Sequence, residues 1–546
     1  MLEIYTAKSI ITMNPSLPRA EAIAIHQGQI VQVGSLKDMA PLMASQEHQL
    51  HTQFADDIMT PGLIDPHLHP AMAAVILPME FITALEWQFP WETIPATTTP
   101  QAYDERLQAL IHKHPPGKLL IAWGHHELWH GEMSRGRINQ LSSQLPIVVW
   151  NRSFHELCMN DAAMEMLGIN SSDVGQREQI DLERGRFFEV GLSYAIRKLN
   201  PIILSPEWFE RGMQRLVEVV HFGGQTTVGD MAVGIFDYDS EMQTQRKIIE
   251  EGQAPFRVEL IPHTAALARG RTDDEVADFV ETLPATNSHR LRYSRRVKLF
   301  ADGAFFSGLA QLLPPGYLDG HRGEWLVTPP QLEESVRRYW QRSYQIHIHV
   351  TGDLGLELVL DILHKMQDEK PRLDHGFTIE HFGLSTPEQV AKAARLGARV
   401  SANVYYLHEL SAIFAQQWVG QERASQMARV GTCFREGIIT TLHSDFTMAP
   451  AQPLNSMWVA VNRINCEGEL MGPEERITPE QALRAVTINA ATVLGRESEI
   501  GSLRAGKTAD ITVLGADPLT VDPMKIKDIE IKATLFEGQV FPVTQP

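Results

Sequence analysis

Short apolar runs alternate with amphipathic patterns of helical period through the middle of the chain. The runs predict strands at Met59–Asp65, Thr226–Asp230, Phe256–Pro262, Arg296–Phe300, Tyr344–Val350, Gly376–His381, Ala398–Val404 and Ile438–Ser444. Helices are predicted between them, for example at Pro206–His221, Gln331–Arg342, Leu354–Met366, Thr386–Leu396 and Glu422–Glu436. Alternation of buried strands and helices is typical of a parallel α/β fold. Eight such β units predict a (β/α)8 TIM-like barrel.

The two ends of the chain have a different pattern, with short alternating runs separated by turns. Residues 23–34 predict a hairpin around Gln27-Gly28, and residues 529–541 predict another around Glu537-Gly538. Residues 509–514 predict a further strand. We therefore expect a small β-sandwich built from residues 1–57 and 496–546, with the hydrolase barrel occupying residues 58–495 between them.

Residues from about 75 to 200 do not fit one strand–helix unit and predict an insertion after the first barrel strand. This segment holds five of the ten tryptophans, namely Trp87, Trp91, Trp123, Trp129 and Trp150. It is either an accessory domain with its own aromatic core or a lid and pocket wall, and the two interpretations are compatible.

Composition narrows the class of protein. A hydrophobic fraction of 43% and a charged fraction of 21% over 546 residues describe a globular protein. The net charge of −19 argues against a nucleic-acid partner, because phosphates require a basic surface. The three cysteines form no CxxC pair, and no signal peptide or membrane span is predicted. We expect a cytoplasmic protein with a small-molecule substrate, and leave a homodimer open.

Histidine pairs are the first sign of chemistry. The chain has 22 histidines and three His-x-His pairs, at His67/His69, His112/His114 and His347/His349. Chance predicts roughly one such pair at this composition, so a single pair is weak evidence. The pair at 112–114 runs into Pro115-Pro116-Gly117 and is interpreted as an inert surface turn.

Residues with chemically reactive side chains recur where the predicted barrel strands end. These residues are His67, His69, Lys298, His349, His381 and Asp445. The reactive groups of a (β/α)8 barrel come from the carboxyl ends of different strands, which meet at one face. Imidazole and carboxylate groups converging there predict a metal site.

The sequence around these positions resembles a known family. Pro61–His69 resembles the first-strand motif of the amidohydrolase superfamily, and the wider pattern is similar to the family-3 amidohydrolases that include N-substituted formamide deformylases. The other matching segments are Val297–Gly303, His349–Asp353, Ile379–His381, Ser444–Asp445, Ile477–Leu483 and Gly501–Asp510.

The resemblance implies a centre with two divalent ions, expected to be zinc. His67 and His69 would bind the more buried ion, and His349 and His381 the second. Lys298, carboxylated by CO2, would bridge the two ions. Asp445 would bind the first ion and act as the proton shuttle for attack by metal-bound hydroxide.

Other interpretations of these residues stay open. Lys298 could instead pair with an acid such as Asp302, which would leave a site for one metal. His347 and His443 are expected to lie behind the ligands, and His263 to be an ordinary hydrogen-bonded histidine. Cys158 has no activating base pattern around it and is not expected to be a nucleophile.

Departures from the family pattern concern the substrate. The residues we expect to contact it are Trp123, Trp129, His155, Asp302 and Phe305. The bulky rings of Phe305 and Phe306, which follow Lys298 in the sequence, would narrow the pocket or favour an aromatic or apolar substituent. We expect hydrolysis of a C–N amide-type bond in an N-formyl or N-acyl amine. The alternatives are hydrolysis of cyclic amides, carbamates or esters, and a non-catalytic scaffold.

Overall fold

The computed structural model describes residues 1–171, 179–188 and 190–544. Residues 172–178 and 189 of the predicted insertion, and the last two of the predicted C-terminal β segment, lie outside that range. The chain forms two units, Met1–His69 with the chain from Val217 onward, and Pro70–Leu216. Among the described helices, none has the length and apolarity needed to cross a bilayer.

Eight parallel strands of the first unit form the barrel. In chain order, barrel strands 1 to 8 are Leu63–Leu68, Gln225–Val233, Arg257–Pro262, Arg296–Phe300, Gln345–Val350, Thr378–His381, Arg399–Ala402 and Thr440–Leu442. Strands 1 to 3 and strands 4 to 8 form two parallel sheets. Parallel bridges between His263 and Lys298 and between Leu68 and Phe446 join those sheets at both edges. The predicted fold class is confirmed.

Helices follow the barrel strands in the first unit. The α-helices are Tyr238–Gln245, Thr264–Leu267, Asp273–Thr282, Pro329–Gln341, Asp353–Glu369, Pro387–Arg395, Ser411–Gln417, Gly420–Ser425, Val430–Arg435, Pro453–Asn462, Pro479–Ala485 and Ile488–Val493. Two π-helical segments occur at Arg246–Glu251 and Tyr406–Leu410. A short additional strand, Leu291–Tyr293, pairs with barrel strand 3.

The predicted single helix Glu422–Glu436 is wrong, because the structure has two short helices there. Ala428 between them has a left-handed backbone with φ of 47°, which interrupts the helical path. The buried guanidinium of Arg463 donates to the carbonyl oxygens of Ser425, Met427 and Ala428 at 3.0, 2.9 and 3.1 Å. These bonds satisfy carbonyls that a continuous helix would have used.

Strands from both ends of the chain form one eight-stranded sheet. Its strands are Leu2–Ile11, Arg19–His26, Gln29–Gly34, His48–His51, Ile58–Pro61, Ile511–Leu514, Ile531–Phe536 and Gln539–Pro542. Alternate side chains enter two hydrophobic clusters, with Ile23 and Ile25 in one and Ala22 and Ala24 in the other. Both faces of this sheet are therefore covered. A helix at Ala40–Ser45, preceded by a 3-10 turn, contributes to the second cluster.

The run predicted as one strand, Met59–Asp65, is two strands divided at Gly62. Ile58–Pro61 pairs with Ile511–Leu514 in the terminal sheet, whereas Leu63–Leu68 is barrel strand 1. A Cβ on Gly62 would lie 2.0 Å from Thr226 Oγ1, so only glycine allows the backbone to pass so close to strand 2. The amide of Gly62 donates to the Asp510 carbonyl at 2.9 Å.

The second unit contains a six-stranded sheet and its own helices. The strands of that sheet are Glu80–Phe81, Leu120–His125, Ile147–Asn151, Glu156–Met159, Ile180–Asp181 and Arg186–Phe188, and a separate pair is Trp87–Gln88 with Thr93–Ile94. The helices are Pro70–Ile76, Pro100–Lys113, Glu127–His130, Arg135–Leu141, Asp161–Met166, Val190–Ile203 and Pro206–Phe222. The last of these helices continues into the first unit. The hydrophobic core of the second unit includes Tyr103, Leu107, Ile138 and Val149.

Candidate metal centre

The six predicted ligand residues lie together at the carboxyl ends of barrel strands 1, 4, 5, 6 and 8. The ring centroids of His67 and His69 are 5.2 Å apart, and those of His67 and His381 are 4.7 Å apart. The rings of His349 and His381 are 4.4 Å apart. Lys298 Nζ lies 3.5 Å from His67 Nε2. Four histidines, the lysine and Asp445 therefore form a single group, which is buried except for the 12% exposed side chain of His69.

Asp445 is the residue on which the histidines converge. Its Oδ1 lies 2.9 Å from His69 Nε2 and 3.4 Å from His67 Nε2, while its Oδ2 lies 3.4 Å from His381 Nδ1. One carboxylate thus faces histidines from strands 1 and 6. Such an arrangement of nitrogen and oxygen donors is the kind that zinc binds in proteins.

The backbone at two of these strand ends has an uncommon conformation. His381, Phe382 and Asp445 have left-handed φ angles of 73°, 53° and 53°. Non-glycine residues in this region cost of order 1–3 kcal/mol each and persist where the surrounding structure holds them. The turn at Asp445 is held by Asp65, which accepts a 2.5 Å hydrogen bond from the Ser444 hydroxyl.

Sequence reasoning placed Glu380 in a motif but gave it no role. Its buried carboxylate accepts a hydrogen bond from His67 Nδ1 at 2.7 Å and another from His347 Nδ1 at 2.6 Å. The first bond fixes the His67 ring so that its Nε2 points toward Asp445 and Lys298. The signal in the sequence was its position in Ile379-Glu380-His381, directly before a predicted ligand at a strand end.

His347 and His263 lie where they were expected. His347 is fully buried, and its second ring nitrogen lies 3.1 Å from Gln345 Nε2. His263 Nδ1 accepts a hydrogen bond from the Ala266 amide, and its ring stacks on Phe300 with centroids 4.5 Å apart. Both histidines are thus held by hydrogen bonds of their own.

Lys298 is enclosed in the barrel, with no exposed surface. Burial lowers the pKa of its ammonium group to about 8, although the negative charges of Glu380 and Asp445 oppose that shift. The alternative pairing with Asp302 is not seen. Instead, Asp302 accepts backbone hydrogen bonds from Gln311, Thr351 and Gly352, each at 2.9 Å.

Several ring nitrogens in and beside this group are buried and make no hydrogen bond of normal geometry to any residue that the structure describes. These are Nδ1 of His69, Nδ1 of His381 and both ring nitrogens of His443. Donor atoms of His67, His381, His443 and Asp445 all lie within 4.8 Å of one another. Because buried polar atoms are nearly always paired, these nitrogens fit a site that holds a metal ion.

The residues expected to contact substrate lie in both units. In the second unit, Trp123 is buried against Phe81 and Trp87. Trp129 packs on His126, and both Trp129 and His155 are partly exposed. In the first unit, Phe305 packs on Tyr406 with ring centroids 4.8 Å apart. The backbone bonds of Asp302 described above occupy both of its oxygens. A substrate role for these five residues stays a prediction.

Comparison with known proteins decides the family. The sequence profile described as "Amidohydrolase family" matches residues 55–542. The chain belongs to the amidohydrolase family. This confirms the family predicted from Pro61–His69 and the later segments, and it makes the protein a hydrolase.

Individual relatives of this amidohydrolase are distant but match along its whole length. N-substituted formamide deformylase from Arthrobacter pascens is 24% identical, over 95% of this chain and 94% of its own. Putative amidohydrolase YtcJ from Bacillus subtilis (strain 168) is also 24% identical, over 99% of each chain. The crystal structure of an uncharacterised metal-dependent hydrolase from Pyrococcus horikoshii OT3 has a TM-score of 0.74 at 21% identity, covering 96% of this chain and 99% of that one. This structural likeness shows the fold.

Proposed function

We propose that this amidohydrolase is a metal-dependent enzyme that cleaves the C–N bond of a small N-formyl or N-acyl amine. The observation that carries the proposal is the group of buried histidine nitrogens without hydrogen bonds around Asp445, at the barrel face where such enzymes do their chemistry. The similarity to an N-substituted formamide deformylase supports the choice of substrate class. The acidic composition supports a cytoplasmic location.

The residues that would hold the ion are His67, His69, His381 and Asp445, with His349 and Lys298 beside them. A bound divalent ion, which we propose to be zinc, polarises a carbonyl group and lowers the pKa of water. Glu380 orients His67 for this role through the bond at Nδ1. The ring of Phe300 stacks on that of His349 and helps to exclude water from this side of the proposed metal site.

Asp445 is the group that we propose moves the proton. Its carboxylate is buried and surrounded by imidazoles, so it can accept a proton from the attacking water. It would then donate that proton to the nitrogen of the leaving amine. Replacement by asparagine keeps the size of the side chain and removes the proton acceptor.

Lys298 is the group that we propose reacts with CO2. A lysine must be neutral to form a carbamate, and burial has lowered its pKa toward the physiological range. The nitrogen would add to the carbon of CO2 and release one proton. The product carries oxygen donors next to His67, where a second ion could share them.

The experiment combines metal analysis with a substrate panel. Purified wild type, Asp445→Asn and the exposed control Asp361→Asn would be assayed on formamides, N-acyl amines and lactams, before and after chelation and zinc reloading. We expect activity of the wild type and the control on formamides or acyl amines that is lost on chelation and restored by zinc. Wild type without metal, or Asp445→Asn as active as wild type on every hydrolysed substrate, would refute the proposal. A carbamate on Lys298 would add 44 Da, about the mass of CO2, in native mass spectrometry.

A further inference from the structure

His443 lies closer to the donor group than its sequence position suggested. It follows barrel strand 8 directly and is 1% exposed. Its ring stacks on that of His67 with centroids 4.4 Å apart and planes at 19°, and it lies 5.2 Å from the ring of His381. One of its nitrogens is within 4.8 Å of donor atoms of His67, His381 and Asp445.

Other buried histidines of the first unit show what a structural histidine looks like in this fold. His347 is bonded to Glu380 and Gln345, and His375 is bonded to the Leu396 carbonyl and the Phe377 amide. His443 is as buried as these, yet neither of its nitrogens makes a hydrogen bond of normal geometry to a described residue, and only a weaker contact with the backbone of His67 faces its ring. An unsatisfied buried polar group costs about 1–3 kcal/mol, so a purely structural role leaves this side chain unexplained.

We propose that His443 is a ligand of the buried ion, together with His67, His381 and Asp445. This rests on the proposed function, because it requires that the centre binds a metal. It departs from the ligand set implied by the family resemblance, in which His443 lies behind Asp445. Besides His69, which also faces Asp445, the chain thus offers three imidazoles and one carboxylate to a single ion.

The chemistry of this donor set is that of a zinc site. Zinc–nitrogen and zinc–oxygen bonds of about 2.0–2.2 Å place neighbouring tetrahedral donors roughly 3.3–3.6 Å apart. The donor atoms of His67, His381, His443 and Asp445 now lie up to 4.8 Å from one another. They therefore need to approach one another by only about an ångström to bind one zinc ion. Three imidazoles also favour zinc, copper or nickel over magnesium and calcium, which prefer oxygen ligands.

The test compares His443→Asn with the matched control His375→Asn, a buried histidine that is bonded only to backbone groups in the described part of the chain. Zinc affinity would be measured by competition with a chromophoric chelator, and each protein would also be loaded with Co2+ for visible absorption spectra. We expect His443→Asn to lose more than about 100-fold in zinc affinity, beyond the 10–100-fold typical of residues behind a ligand. Its cobalt absorption bands should shift in energy and intensity, while those of His375→Asn should match wild type.

Unchanged affinity and cobalt bands in a folded His443→Asn variant would overturn the proposal. If that variant does not fold, a crystal structure of the zinc-loaded wild type decides. The zinc position would be located from its anomalous scattering. A ring nitrogen of His443 at about 2.1 Å from that position supports the assignment, and a distance beyond about 3 Å overturns it. Failure of the proposed function looks different, because wild type would then bind no zinc tightly or hydrolyse no amide.

Discussion

Replacing Glu380 by glutamine tests how the buried carboxylate supports the metal centre. The carboxylate accepts one short bond from each of two imidazoles, at His67 Nδ1 and His347 Nδ1. Glutamine has a single oxygen at this end, so its NH2 group must face one of the two N–H groups. Either His67 or His347 therefore loses its hydrogen bond, and in both cases the negative charge behind His67 is lost.

The expected effect on metal binding follows from these contacts. Removing a partner behind a metal-ligating histidine typically weakens metal affinity by about 10–100-fold. That corresponds to about 1.4–2.7 kcal/mol, or about 1.4 kcal/mol per factor of ten. Burial raises the pKa of Glu380, but the hydrogen bond from His347 and the charge of Lys298 outweigh it and lower the pKa to about 2. Glu380 is therefore ionised throughout an assay between pH 6 and 9, and the loss should be independent of pH there.

The assay is zinc competition against a chromophoric chelator, with His347→Gln as the control. His347 shares Glu380 but makes no contact with Asp445, so its replacement should change zinc affinity by less than about threefold while lowering stability. The reasoning is wrong if Glu380→Gln binds zinc like wild type, or if His347→Gln weakens zinc binding as much as Glu380→Gln does. Acidification gives a second check. The pKa of Glu380 is depressed on folding, so its stabilising contribution exists above about pH 4.5 and is lost as the pH falls toward 2.

Three further predictions concern the fold and the chemistry around it. Gly62→Ala should lower the free energy of unfolding in urea by about 1–3 kcal/mol or more, because the new Cβ would lie 2.0 Å from Thr226 Oγ1. Adding Thr226→Ala to that variant should restore part of the loss, since it removes the hydroxyl that the Cβ meets. Asp302→Asn should cost about 1.5–3 kcal/mol at pH 8, since an amide cannot accept all three backbone bonds; an unchanged unfolding midpoint would contradict this. Lys298→Met should lose the CO2 adduct in native mass spectrometry and any second equivalent of bound metal, whereas retention of both would exclude Lys298 as the bridge.

The ends of the barrel strands were predictable from the sequence because two local rules apply to them. Short apolar runs mark the strands, and the carboxyl ends of parallel strands meet at one face. His67, His381 and Asp445 could therefore be brought together without a structure. The strand near Arg296–Phe300 even has its predicted bounds.

What the sequence did not reveal depends on contacts between distant segments. The division of the first run at Gly62 is set by its close approach to Thr226 and by pairing with Ile511–Leu514, neither of which leaves a mark in the local pattern. The double role of Glu380 requires knowing that His67 and His347 face it from two other strands. The stacking of His443 on His67 likewise depends on the closure of the barrel.

That closure has a consequence for how the protein is made. His69 and Asp445, which lie 2.9 Å apart in the folded barrel, are separated by 376 residues of chain. At a synthesis rate of about 5–20 residues per second, the first-strand histidines are added to the chain roughly 20–75 s before Asp445. Contacts of such long range form late in folding. The ion can therefore be captured by the full donor set only after the last strand has docked, so metal uptake during translation would report completion of the barrel.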